Sequence, residues 1–139
     1  MPAANFDSIR VGDSIPSLSK PPFTRLQLAL FAGAAADHNP IHVDEDAARK
    51  GGLPGVIAHG MLTMAYLGEM LSDWVSPHQI RAFSSRFNAM GMLGDAITCK
   101  GVVTGKSVVN GENRVELELS AANQKGEKVQ MGKAVVALP

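Results

Sequence analysis

One short segment concentrates titratable chemistry inside otherwise apolar sequence: Ala36-Asp37-His38-Asn39-Pro40-Ile41-His42. Two of the four histidines of the chain fall there. A carboxylate and an imidazole five residues apart, Asp37 and His42, lie on either side of a proline turn and can converge on one point. Such a pair can hold a water molecule and move protons near neutral pH. The same residues have plainer uses. Asp and Asn after a helix build turns, and a histidine near a helix end can satisfy carbonyls, so spacing alone leaves both readings open. His38 and His42 also have the i, i+4 spacing of a metal-binding pair on a helix. Pro40 between them breaks a shared helical face, and no nearby Cys or Glu completes a recognisable ligand set. No metal is expected.

A second cluster, Ile57-Ala58-His59-Gly60-Met61, stands at the head of a strongly apolar run. Backbone N–H groups at a helix start lack intrahelical partners and favour negative charge. Gly60 has no side chain to obstruct a ligand, so its N–H can hold a carbonyl oxygen as it becomes anionic. The competing reading is that Gly60 only permits close helix packing. Other chemistries lack their usual signals: there is no G-x-S-x-G, no P-loop and no G-x-G-x-x-G. Cys99 sits inside an apolar alternation, as a core residue does, and reads as core in preference to nucleophile.

The elements that position these clusters follow from pattern. Arg10 to Lys20 reads as a short strand with turns, ended by Pro21-Pro22. Thr24 is a plausible N-cap with Gln27 completing a capping-box pattern. Leu26, Leu30 and Gly33 then form one helical stripe that continues to Asp37, and Pro40 ends the helix near that residue. Val43 to Lys50 forms a short helix with Asp44 near its start, and Gly51 to Gly55 forms a loop. Ala58 to Ser72 forms a second helix, so apolar that it must be buried on most sides. The remainder alternates as β-structure. Phe83, Ser85, Phe87 and Ala89 share one face of a strand, and Ser84 and Arg86 share the other. Ile97 to Thr104, Val115 to Ala121 and Val129 to Leu138 follow. Strands after a buried helix give an α+β order, packed as a curved antiparallel sheet around the Ala58–Ser72 helix.

Composition bounds the function classes. The 139 residues fit one domain, 1–139, with 45% hydrophobic and 19% charged residues. Thirteen basic residues balance thirteen acidic ones, which gives no electrostatic argument for nucleic acid or an acidic membrane. The N-terminal residues show no basic segment followed by an apolar one, so no signal peptide is expected. The most apolar run is too short for a membrane span, and a cytoplasmic protein is the expectation.

Both clusters resemble the signature of the MaoC-like, R-specific enoyl-CoA hydratases. The likeness runs from Phe31 through Asp37-His-Asn-Pro-Ile-His42 to Ala47, resumes over Ile57-Ala-His-Gly-Met-Leu62, and extends across nearly the whole chain. It is strongest toward short, single-domain members. The resemblance implies a hot-dog fold, with Asp37 and His42 as the acid/base pair and the Gly60 N–H as the oxyanion hole. Asn39 would shape the motif turn, and Ser84 resembles an active-site serine of some members. The position before the motif aspartate is commonly Gly and here is Ala36. The implied reaction is reversible hydration of a trans-2-enoyl thioester to an (R)-3-hydroxyacyl thioester, with no cofactor. The thioester partner is CoA or acyl carrier protein. A homodimer is expected, with a heteromer carrying a second hot-dog subunit as the alternative assembly. A hot-dog thioesterase is the rival activity.

Overall fold

Capping chemistry sets the helical half. In the computed structural model, which describes residues 4–139, Thr24 accepts the Gln27 N–H at 3.1 Å and opens α1 (Arg25–Ala35). The face that α1 turns inward differs from the expected one. Leu28 and Ala32 are buried, whereas Leu26 and Leu30 are 70% and 65% exposed. Leucines at 26, 28 and 30 give this helix two apolar stripes, and packing against the core selected the one through Leu28. The helix closes with Ala36 at φ 54°, ψ 29°. The Ala36 N–H reaches Gly33 O at 3.4 Å and the Asp37 N–H reaches Ala32 O at 3.1 Å, a Schellman closure. Asp37 therefore leaves the helix instead of continuing its stripe. Asn39 caps a 3-10 turn, Pro40–His42, by accepting the Ile41 N–H. Asp44 caps α2 (Glu45–Lys50) by accepting from Asp46 and Ala47.

The central helix α3 spans Gly60–Trp74, two residues later than expected at each end. Ile57 and Ala58 stay ahead of it, tied to neighbouring segments, Ile57 in an antiparallel bridge with Met92. Ile57 N–H donates to Ile41 O at 3.1 Å and Ala58 N–H to Gly91 O at 2.8 Å. His59 thus becomes the N-cap. No helix among the described residues is long and apolar enough to cross a membrane.

Among the described residues five strands complete the fold: β1 (Leu18–Ser19), β2 (Ile80–Phe87), β3 (Thr98–Val109), β4 (Glu112–Ala122) and β5 (Lys128–Ala137). They form one antiparallel sheet in the order β1-β3-β4-β5-β2. The strand expected to end at Thr104 runs on to Val109 and joins β4 through Asn110-Gly111, whose φ angles are 51° and 78°. Asn-Gly is the strongest short hairpin signal. A register shift between Val103 and Gly105 breaks the regular alternation and hides the second half of the strand from pattern reading. The sheet curls around α3 in the hot-dog arrangement. Leu67, Met70 and Leu71 of the helix, each at most 1% exposed, share a core with Val115, Leu117, Leu119 and Val136. Each fully buried side chain of this size contributes about 1.5–3 kcal/mol. β2 is an edge strand, bonded on one side to β5.

Candidate active site

Three chain segments meet at the start of α3. The first is the turn after α1. Its left-handed Ala36 directs Asp37 out of the helix, and the Asp37 Oδ1 accepts the Asn39 N–H at 3.3 Å. The second is the Pro40–His42 turn, whose last residue is buried at 8% exposure. The third is the strand-like approach to α3, which carries Ile57, His59 and Gly60. The structure brings Asp37 and His42 together, with His42 Nε2 3.7 Å from Asp37 Oδ2. That distance is too long for a direct hydrogen bond and suits two groups that share one water or hydroxyl. The His42 side chain is 9% exposed and the Asp37 side chain 45%, so the carboxylate approaches the ring from the solvent side.

The His42 tautomer follows from its second nitrogen. Nδ1 lies 2.8 Å from Ile57 O, and a carbonyl oxygen only accepts, so Nδ1 carries a hydrogen. Nε2 is then the ring nitrogen left facing Asp37. Asn39, with its carbonyl oxygen on Ile41 N–H and its own N–H on Asp37, holds the turn in shape. His38 of the same segment is exposed.

Gly60 opens α3, and helix geometry leaves its N–H without an intrahelical acceptor. It lines a cavity of about 300 Å³ together with His42, Thr63, Phe87, Met90 and Gln130. A β-carbon on Gly60 would stand 2.5 Å from Phe87 Cε2, so only glycine allows this approach of the ring. Gln130, 2% exposed, donates its Nε2 hydrogen to Gly60 O at 2.6 Å and accepts from Ser85 Oγ at 2.7 Å. Gln130 thereby fixes the Gly60 peptide from the sheet side. It is one polar residue on the buried face of β5, the face that carries Gly132, Ala134 and Val136. That position was its signal in the sequence.

Ser84 lies elsewhere. Its register partner is Lys133, and it opens onto a shallow groove of about 640 Å³ on the outer face of the sheet, with Arg86, Glu118 and Lys133. Ser84, expected at the site, is not brought to the cavity that His42 and Gly60 line: the period-2 pleat turns Ser85 toward the Gly60 support. His59 is the residue whose contribution pattern reading missed. It is 1% exposed and its ring stacks on His42 with centroids 3.8 Å apart. Burial first, and then the neighbouring His42, push its pKa below the ordinary value of 6.5, against the hydrogen bond to Asp37 O and the Asp37 charge.

Asp37, His42 and His59 place one donor atom each within 4.8 Å of one another. Metal binding needs lone pairs aimed at a common centre. Here the two imidazoles lie face to face, 24° from parallel, which sends their lone pairs side by side. The geometry fits proton transfer better than coordination. Cys99 is fully buried, and burial pushes its thiol up to about 12, which leaves it no nucleophilic role.

Comparison with known proteins agrees with this fold. A family model described as the MaoC like domain matches residues 10–125. The (R)-specific enoyl-CoA hydratase of Rhodospirillum rubrum is 32% identical over 136 residues, covering 96% of this chain and 91% of that protein. Fatty acid synthase subunit beta of Aspergillus oryzae is 34% identical over 115 residues, and the match spans 80% of this chain but only 6% of that much longer protein. A solved MaoC-like dehydratase superposes with a TM-score of 0.87 at 31% identity, over 99% of this chain and 43% of that one.

Proposed function

The chain belongs to the MaoC-like domain family, and from that premise we propose that it is a hydro-lyase interconverting trans-2-enoyl thioesters and (R)-3-hydroxyacyl thioesters. One observation carries the reading: a carboxylate and a buried imidazole 3.7 Å apart, beside a helix-start N–H in a cavity that His42 and Gly60 both line. Elimination from a 3-hydroxyacyl thioester needs a base for the C2 proton, an acid for the departing C3 hydroxyl and a donor for the enolate-like oxygen. Asp37 and His42 act as one coupled pair for the two proton transfers. In hydration the same pair holds the attacking water and supplies the proton that arrives at C2. The Gly60 N–H, at the positive end of α3, binds the thioester oxygen. Asn39 keeps the pair in register. This chemistry moves protons and a hydroxyl only, and calls for no cofactor.

The carrier is CoA or acyl carrier protein, and a cytoplasmic location belongs to the same proposal. The active form is at least a dimer, and we favour a homodimer over a heteromer with a second hot-dog chain. The open edge of β2 and the outward Leu26 and Leu30 support this, since unpaired edges and exposed apolar faces are normally covered. Light scattering on the active sample tests the assembly, and a fully active monomer would overturn it. The activity is tested by following the enoyl-thioester absorbance and free thiol together, without added metal or nucleotide. Loss of the enoyl band without thiol release is the expected result. Thiol release with an intact enoyl group would instead make this a thioesterase, and activity lost to chelation and restored by zinc would return the metal reading.

A further inference from the structure

His59 is buried, contacts both members of the acid/base pair and has no assigned part in the reaction above. Its Nε2 lies 3.2 Å from the Asp37 backbone oxygen. That oxygen only accepts, so Nε2 carries the hydrogen. Its Nδ1 is buried without a partner among the described residues. A protonated Nδ1 there would strand a charged donor away from any acceptor, at the positive end of α3 whose N-cap is this same residue. The ring is thus the neutral Nε2–H tautomer. The titratable groups facing it are Asp37, from the turn after α1, and His42, from the Pro40–His42 turn. Phe31 of α1 packs edge-on at 4.9 Å and carries no charge.

We propose that His59 is the positioning residue of the site: its Nε2–H on Asp37 O and its ring face on His42 lock the acid/base pair to the Gly60 oxyanion donor next to it in the chain. The inference rests on the proposed reaction for its catalytic meaning and on these contacts for its geometry. Asp37, His42 and Gly60 come from three segments. Ile57 already ties the second to the third, its O accepting from His42 Nδ1 and its N–H donating to Ile41 O, and the His59 Nε2–H on Asp37 O adds the first. His59 is covalently joined to one of them and touches the other two. Without it, the Asp37 turn loses its hydrogen bond to the helix start, and the place of the carboxylate relative to His42 and the enolate oxygen is less firmly held. A misplacement of about 1 Å in such a constellation costs about 10²-fold in rate.

Two variants separate the contacts. His59→Phe keeps an aromatic face and deletes the Nε2–H, and His59→Gln keeps an N–H donor and deletes the face. Turnover is expected to fall about 10²-fold in His59→Phe and by about tenfold in His59→Gln, in both cases through kcat with KM nearly unchanged. Nitrogen-detected NMR of the imidazoles supplies a readout that needs no turnover. In the wild type His59 should read as the neutral Nε2–H tautomer through the range where ordinary histidines take up a proton. In both variants the His42 ring signals should move while the amide signals of β3 and β4 stay in place. An Nδ1–H tautomer or a protonated His59 near neutral pH overturns the proposal, as does a His59→Phe enzyme within threefold of wild-type kcat. Should the wild type fail to hydrate any enoyl thioester, the proposed reaction falls, and the ring signals still decide whether His59 orders the pair.

Discussion

Replacing Gly60 by alanine tests the oxyanion assignment against the packing one, because the two predict different losses. The added carbon would stand 2.5, 2.6 and 3.2 Å from Phe87 Cε2, Cδ2 and Cζ. Comfortable carbon contacts lie near ~3.5–4.0 Å, so the ring must retreat by about 1 Å. Phe87 is 52% exposed and can swing toward solvent. The stability cost therefore sits at the low end of the overpacking range, about 1 kcal/mol. The catalytic cost is larger, because the methyl group stands where the thioester oxygen must approach the Gly60 N–H. Loss of one such donor lowers kcat by about 10²–10³-fold. Urea denaturation and initial rates on an enoyl thioester measure the two effects side by side. A companion Phe87→Leu change should return most of the lost stability and little of the lost turnover. If Gly60→Ala keeps more than about a tenth of wild-type kcat, Gly60 serves packing alone and the oxyanion hole must be sought elsewhere.

Asp37→Asn and His42→Gln should each lower turnover by about 10²–10⁴-fold with folding retained, and His38→Gln, an exposed neighbour, should leave steady-state rates close to wild type. Ala36 holds φ 54°, a region that costs a non-glycine residue roughly 1 kcal/mol; Ala36→Gly is expected to raise the urea midpoint, and a lowered midpoint would show that the turn needs the alanine's reduced unfolded-state freedom more. Gln130→Leu removes the hydrogen bonds to Gly60 O and Ser85 Oγ and sets an apolar side chain against both, so it should destabilise by about 1–3 kcal/mol and slow turnover as well; an unchanged denaturation curve would refute the support assigned to it. His59 has its folded pKa pushed below the ordinary 6.5, so the unfolded chain binds its proton first. Its contribution to stability is complete above that ordinary value and is lost as pH falls below it, toward the folded pKa; melting temperatures across this range should drop less steeply in His59→Phe than in the wild type.

Residue order alone settles the local chemistry. Thr24 with Gln27, Asn39 with Ile41, and Asp44 with Asp46 and Ala47 are bonds between residues two or three apart, and such bonds depend on residue type and spacing alone. The turn that joins Asp37 to His42 belongs to this class, which is why the pair was legible before any fold. The apolarity of α3 likewise forced it into the centre. Whatever rests on register is settled by packing in three dimensions. Leu28 in place of Leu26 and Leu30 faces the core because α1 carries two apolar stripes and only packing distinguishes them. Ser85 in place of Ser84 serves the site because one residue of pleat reverses every side chain. His59 reaches Asp37 from 22 positions away and Gln130 reaches Gly60 from 70. No propensity encodes those separations. They exist because the sheet curls around α3 and brings the buried face of β5 against the helix start, where burial makes each unpaired polar atom costly enough to demand a specific partner.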